Sequence, residues 1–304
     1  MRVLVTGGAG FIGSHISRLL LDSGHKVSIL DNLSGGRKDL VDSRAELIIG
    51  DIRNARDTKK TLKGVDAVIH AAGLIVVPES VKDPIKYCEN NVIGTVSLLE
   101  SMRNSNVKKI IFSSSACVYG TPDKLPITED APLRPDNPYG ASKASIEAFL
   151  QAYHADFGFD ITILRYFNPY GPGELHKPET HAIPNFIKAT LAKKSIPLYW
   201  KGEQIRDFIY ISDLAQAHID VLNLSGFDIF NIGTERGIKV KDVIDGIFKI
   251  VGFKVAISDL GKRPGDVHAN YASSKKLTNA VGWKAKVSLQ EGLKRTISYY
   301  KKLK

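Results

Sequence analysis

The run Arg2-Val3-Leu4-Val5 leads directly into Thr6-Gly7-Gly8-Ala9-Gly10-Phe11-Ile12-Gly13, and a helical pattern opens at Ile12. A strand that turns on glycines into a helix is the first half of a βαβ unit, and repetition of that unit forces a parallel sheet. The repetition is present. Short apolar runs at Val3–Thr6, Val27–Asp31, Glu46–Asp51, Ala67–Ala71, Lys109–Ser114 and Ile161–Tyr166 read as strands covered on both faces. Helical patterns at Ile12–Ser23, Ile85–Asn104 and Tyr139–Phe157 lie between them. The order predicts an α/β fold built on a Rossmann-type, doubly wound parallel sheet.

The texture changes at Asn168-Pro169-Tyr170-Gly171-Pro172-Gly173, followed by a polar loop to His181. Beyond it, helices are predicted near Ile183–Lys193, Val240–Val251 and Leu289–Lys301, and a strand at Asp228–Ile232. Residues 1–168 are expected to form a nucleotide-binding domain, with a return segment near 207–235. Residues 169–304 are expected to form mainly a smaller C-terminal α/β substrate-binding lobe. Such a lobe packs over the carboxyl ends of the strands, where open α/β sheets bind ligands.

A chain of 304 residues, 43 % of them apolar, can bury a core of this kind. Its two cysteines, Cys88 and Cys117, have no metal-ligand spacing, so a reducing cytoplasm is expected, with no disulfide framework and no metal. No apolar run approaches the roughly 20 residues that span a bilayer, and the N-terminus reads as a strand, not a signal peptide. The net charge of +10 suits an anionic ligand such as a diphosphate, or simply a lysine-rich solvated surface. The lysines are scattered, as at Lys59-Lys60, Lys108-Lys109, Lys193-Lys194 and Lys301-Lys302, and no nucleic-acid-binding module is recognisable. Neither nucleic acid nor membrane is an expected partner.

The glycine turn satisfies G-x-G-x-x-G from Gly8 to Gly13, and its shifted form at Gly7, Gly10 and Gly13. Glycine lets the backbone approach a pyrophosphate, which the free N–H groups of the following helix then hold. Asp31 lies eighteen residues after Gly13, at the end of the second predicted strand. A carboxylate there accepts from ribose hydroxyls and repels a 2′-phosphate, which favours NAD over NADP; the nearby Arg37 pulls slightly the other way. Asp51, at the end of the third predicted strand, is either an adenine contact or a helix cap. Tyr139 and Lys143 sit four apart at a helix start marked by Pro138, and so share one face. A free phenol has a pKa of about 10; an ammonium and a positive nicotinamide ring both favour phenolate and make Tyr139 a candidate base. Lys143 could also hold the nicotinamide ribose. The same spacing describes an ordinary surface pair. Ser115, at the carboxyl end of the fifth predicted strand, could share a substrate proton with Tyr139.

Together these segments resemble the extended short-chain dehydrogenase/reductases, and among them the UDP-glucose 4-epimerases. The resemblance adds His70-Ala71-Ala72-Gly73, Asn90-Asn91-Val92, Ser113-Ser114-Ser115-Ala116 with Val118-Tyr119-Gly120, Arg165-Tyr166-Phe167-Asn168-Pro169, Arg206-Asp207-Phe208, Asn231-Ile232-Gly233 and Arg263-Pro264-Gly265-Asp266. It implies that Tyr139, assisted by Ser115, removes the proton of a sugar 4-hydroxyl. Hydride then passes from C4 to NAD, the transient 4-keto sugar presents its other face, and the returning hydride inverts C4. Gly7, Gly10, Phe11, Ile12, Gly13, Asp31, Asn32, Asp51, Ile52, Ala71, Asn91, Ser113, Tyr139, Lys143 and Phe167 are the implied NAD-binding residues. The implied UDP-sugar contacts, besides Ser115 and Tyr139, begin with Asn168 on the diphosphate. Arg206 and Arg263 follow as its clamps, whose forked guanidinium groups suit phosphate. Tyr199 stacks on uracil, Asp266 meets the ribose and Asn270 is a gate beside the sugar C2 substituent. The arginines also read as surface ion pairs, and Tyr199 as a core aromatic.

Related 4,6-dehydratases carry Asp-Glu where this chain has Ala116 and Cys117, so epimerisation is the expected outcome. Cys117 reads as a redox thiol or as a small buried residue. Trp200 stands where glycine is common, Ile75 where some relatives place a lysine, and Asn270 where tyrosine restricts the pocket to plain hexoses. The smaller Asn270 leaves UDP-N-acetylglucosamine as an alternative substrate, with UDP-glucuronate a second. A non-catalytic NAD-sensing protein is the alternative of another class. The resemblance also implies a homodimer formed through the segments near Ile85–Asn104 and Tyr139–Phe157.

Overall fold

The computed structural model describes residues 1–175, 181–261 and 267–303. In chain order its elements begin β1 (Arg2–Thr6), α1 (Phe11–Asp22), β2 (Lys26–Asp31), β3 (Glu46–Ile49), α2 (Ala55–Thr61), β4 (Ala67–His70), α3 (Val77–Lys82) and α4 (Pro84–Tyr87). A π turn (Cys88–Ile93), α5 (Gly94–Asn104), β5 (Lys109–Ser115), α6 (Pro138–Phe157), β6 (Asp160–Tyr166) and β7 (Asn168–Tyr170) follow. The remainder is α7 (Ala182–Leu191), β8 (Ile196–Leu198), β9 (Ile205–Arg206), β10 (Phe208–Tyr210), α8 (Ile211–Asp220) and β11 (Phe227–Ile232), then β12 (Ile238–Lys239), α9 (Val240–Val251), β13 (Ile257–Asp259), β14 (Ala269–Asn270), α10 (Lys275–Val281) and α11 (Leu289–Lys302).

The chain divides into two compact units. One comprises Met1–Gly120, Pro132–Tyr166 and Ala215–Phe230; the other comprises Thr121–Ala131, Phe167–Leu214 and Asn231–Lys304. Compared with a boundary at residue 168, the second unit also takes the excursion 121–131, and the segment returning to the first is 215–230.

Among the described residues the main sheet has seven strands in the order β11-β6-β5-β4-β1-β2-β3, and every pairing from β3 through β6 is parallel. The order reverses between β1 and β4, and the carboxyl ends of strands flanking such a switch point form the ligand crevice. The central strands are buried almost throughout, as their unbroken apolar runs require. Leu4, Val68, Ile110, Phe112 and Ile161 from the strands meet Leu98, Met102, Ile146 and Leu150 from α5 and α6 in one core. Full burial of each such side chain contributes about 1.5–3 kcal/mol.

Two expectations need correction. The third strand stops at Ile49, not Asp51: the Gly50 N–H turns to the Asp31 carbonyl (3.2 Å) and the Asp51 N–H to the Asp57 carboxylate (3.0 Å). It is an edge strand, with Ile49 58 % exposed, and not one covered on both faces. The single helix expected over 85–104 is instead α4, the π turn and α5. Asp83 caps α4 ahead of Pro84, and the π turn holds the buried Asn91. The hydrophobic pattern does not mark α2, α3, α8 or α10, because three of them are one to two turns long and α8 is short and half polar.

Helix α6 forms where its punctuation dictates. The Asn137 side chain accepts the Gly140 N–H (2.9 Å), Pro138 occupies the first turn, and Gly158 ends the helix at φ 65°. In the second unit, β7 pairs with β10, β9 lies between β12 and β14, and β8 pairs with β13. No helix among the described residues is long and apolar enough to cross a membrane.

Candidate active site

The β1–α1 turn has the shape a dinucleotide pyrophosphate needs. Gly7 has φ +70°, and a Cβ there would stand 2.6 Å from the Ala72 nitrogen; one on Gly13 would stand 2.3 Å from the Gly7 oxygen. Packing therefore demands those two glycines. Gly10 is different: its added Cβ would meet only the Gly7 oxygen, at 3.2 Å. Gly10 is also the N-cap of the twelve-residue α1, with no side-chain cap and no acid in the first turn, so the positive helix end is left for an anion. Phe11 and Ile12 open that helix.

Asp31 ends β2 beside this turn. Its Oδ2 accepts the Ala9 N–H (3.0 Å) and its Oδ1 the Leu33 N–H (2.8 Å), which fixes the carboxylate against the glycine loop. Burial raises its pKa, and the two N–H donors partly offset that. Arg37 pairs with Asp39 (2.6 Å). Asp51 accepts from Arg53 (2.8 Å) and from the Asn32 amide (2.9 Å), and the guanidinium holds its carboxyl well below the usual range. It does not cap α2; Asn54 does. Ile52 is buried beside Gly94.

Behind the loop runs a buried hydrogen-bond chain. Thr95 donates to the Asn91 carbonyl (2.5 Å), so its oxygen accepts from His70 Nε2 (2.8 Å); His70 Nδ1 then accepts from the Thr6 hydroxyl (2.7 Å). Burial, with the Lys143 charge adding to it, lowers the His70 pKa to about 3 and keeps the ring neutral. Ala71 donates its N–H to Thr6 (3.1 Å). The Asn91 amide clasps both polar groups of Leu74 (2.8 and 3.0 Å) and reaches Ser142 on α6 (3.2 Å).

The three serines at the end of β5 divide the chemistry. The Ser113 carbonyl accepts Lys143 Nζ (2.8 Å), and its hydroxyl accepts from Tyr166, which in turn meets His218 (2.7 and 2.5 Å). Ser114 donates to Glu147 (2.5 Å). The Ser115 hydroxyl accepts the Cys117 N–H (3.2 Å), and its side chain favours the Tyr139 phenolate. Burial pushes the Tyr139 pKa above its ordinary value, Cys117 adds to this, and Ser115 opposes it. Burial lowers that of Lys143 to about 8, against the opposing field of Glu147. The Lys143 ammonium also lies 4.7 Å from the Phe112 ring centroid. A phenol, a hydroxyl and an ammonium thus converge at one strand end, a set of groups with which a proton could be moved at an alcohol carbon.

Sequence reasoning assigned no role to Glu147, Tyr119 or the side chain of Arg165. Arg165 grips Glu147 with two nitrogens (2.6 and 3.1 Å) and donates to Tyr119 (2.7 Å), all inside the first unit. The available signal was position: Glu147 lies four residues after Lys143, on the same helix face.

The second unit brings three expected substrate residues together. Arg206 and Asn270 are register partners on β9 and β14, and Asn168 donates its amide to the Asp207 carbonyl (3.0 Å). Phe167 donates its N–H to Ile232 (3.2 Å), and Tyr199 caps the turn Trp200–Gly202. Arg263 and Asp266 lie outside the described residues.

A model of the NAD dependent epimerase/dehydratase family matches residues 3–233. The chain is 40 % identical to a UDP-glucose 4-epimerase of Lactobacillus helveticus, over 94 % of this chain and 92 % of that one. It is 41 % identical to a putative UDP-glucose 4-epimerase of Methanocaldococcus jannaschii, over 98 % of each. The Thermotoga maritima UDP-glucose 4-epimerase, solved with UDP-glucose, superposes at a TM-score of 0.96 with 34 % identity, covering 100 % of this chain and 99 % of its own.

Proposed function

The chain belongs to the NAD dependent epimerase/dehydratase family, and from that premise we propose that it inverts C4 of a UDP-hexose, interconverting UDP-galactose and UDP-glucose. The observation that carries this reading is the convergence of Ser115, Tyr139 and Lys143 at the end of β5, with Ala116 and Cys117 following in the chain. The base is present, and the acid that would expel water from the sugar is absent.

Tyr139 takes the proton of the 4-hydroxyl and returns it after inversion. Ser115 holds the same hydroxyl and keeps the phenol aimed. Lys143 lowers the cost of the phenolate through its charge and would hold the nicotinamide ribose. Gly7, Gly10, Gly13 and the α1 N-terminus would hold the pyrophosphate, and Asp31 the adenosine ribose. Asn32, Asp51, Ile52, Ala71, Asn91, Ser113 and Phe167 would complete that site. Bound NAD supplies the hydride acceptor in one half of the cycle and the donor in the other. Asn168, Tyr199, Arg206, Arg263 and Asp266 would hold the UDP moiety. Incubating purified protein with UDP-galactose and no added cofactor, followed by NMR, should yield UDP-glucose. Absence of product, even with added NAD, sinks the proposal.

One observation favours a second substrate. The Asn270 side-chain oxygen is buried with no hydrogen-bond partner among the described residues, and an acetamido N–H could satisfy it. Asn270→Tyr should lower the ratio of activity on UDP-N-acetylglucosamine to that on UDP-galactose by about tenfold or more. An unchanged ratio removes the gate. The intact Ser115–Tyr139–Lys143 set argues against a sensing role.

The functional form in this reading is a homodimer in the cytoplasm. Val81, Ile85, Ile93 and Phe149, on α3, α4, the π turn and α6, are each 42–69 % exposed although apolar. Such a face suits a second copy of the same helices. Sedimentation equilibrium should give a dimer that Ile85→Asp converts to monomer; a wild-type monomer at micromolar concentration contradicts the assignment. Cell fractionation reads the location.

A further inference from the structure

Asp207 is completely buried, and among the described residues its carboxylate forms no ion pair. It is held by neutral donors instead. Oδ1 accepts both the N–H and the hydroxyl of Thr234 (2.7 and 2.6 Å), and Oδ2 accepts the Ala272 N–H (3.2 Å). Gly233 makes room for this, since a Cβ there would stand 2.4 Å from Oδ2. A buried carboxylate is tolerated only when its lone pairs are satisfied, so this one firmly ties its own backbone to two other segments.

That backbone is the hub of three residues. The Asp207 carbonyl accepts the main-chain N–H and the side-chain amide of Asn168, both at 3.0 Å. The Asp207 N–H donates to the Asn270 carbonyl (3.1 Å). Arg206 precedes it on β9 and faces Asn270 in register. We propose that Asp207 is a positioning residue: its carboxylate sets the relative placement of Asn168, Arg206 and Asn270, and through them the affinity for the nucleoside diphosphate. The proposal rests on the reading that Asn168 and Arg206 bind UDP.

In Asp207→Asn an amide N–H faces the Ala272 N–H, so one anchor becomes a repulsion while volume is kept. Calorimetric titration of the NAD-loaded protein with UDP should show Kd raised about tenfold, the scale of one hydrogen bond to a charged group. KM for UDP-galactose should rise in parallel, with kcat changed less than about twofold and the bound NAD unaltered. A merely structural role would instead lower Tm and kcat together and leave UDP affinity alone. If Asp207→Asn does not fold, Thr234→Val, which removes only the hydroxyl donor, should raise Kd about threefold. Wild-type affinity in the folded variant tested overturns the proposal. Arg206→Ala separates the two levels. If it leaves UDP affinity unchanged, the binding reading fails; if it weakens UDP while Asp207→Asn does not, only the positioning role fails.

Discussion

Tyr139→Phe should lower kcat by about a thousandfold, within the range of a positioned general base, while leaving UDP affinity and bound NAD unchanged. The ring is nearly buried, and its edge contact with Tyr87 (6.5 Å between centroids) survives the loss of the hydroxyl. The effect is therefore chemical and not a packing defect. The pH dependence follows from the same surroundings. Burial raises the phenol pKa, and positive charge nearby must bring it down. Removing the Lys143 ammonium raises it further, so Lys143→Met should move the acid limb of the kcat–pH profile to higher pH. Residual activity in Tyr139→Phe within tenfold of wild type, or an unmoved limb in Lys143→Met, would assign the base elsewhere.

Glu147→Gln should destabilise the protein by about 3–5 kcal/mol, because it removes the carboxylate charge that two nitrogens of the buried Arg165 guanidinium grip. Both side chains are less than 5 % exposed. The double variant Glu147→Leu with Arg165→Met should recover most of that loss, since a buried ion pair replaced as a whole by apolar groups is close to neutral. Urea midpoints at constant slope measure both. Equal losses in the single and double variants would mean that the hydrogen bonds to Ser114 and Tyr119, and not the charge pair, are what matter. The single variant also removes the Glu147 field that raises the Lys143 pKa, so that pKa should fall below about 8.

The α/β alternation and the glycine turn were legible in the chain because each is a local pattern. A parallel strand buried on both faces needs an unbroken apolar run, and a backbone that must approach the Ala72 nitrogen needs Gly7. Tyr139 and Lys143 were legible because helical periodicity alone puts them on one face behind the Asn137–Pro138 start. Where the third strand stops and where the helix over 85–104 breaks were not, because long-range partners decide both. Asp57 claims the Asp51 N–H, and Asn91 is clasped to Leu74 and Ser142.

By itself, then, the sequence determined the sheet type, the glycine turn, the acid that follows it and the placing of Tyr139 and Lys143 on one helix face, all properties of neighbours along the chain. Only the tertiary structure decided what each polar group is bonded to. It gave the Ser113 carbonyl to Lys143, the Ser114 hydroxyl to Glu147 and the Ser115 hydroxyl to the Cys117 N–H, and it made Asp207 the junction of Asn168, Arg206 and Asn270. A buried donor or acceptor must find a partner wherever the fold brings one within about 3 Å, and distance along the chain says nothing about which that will be.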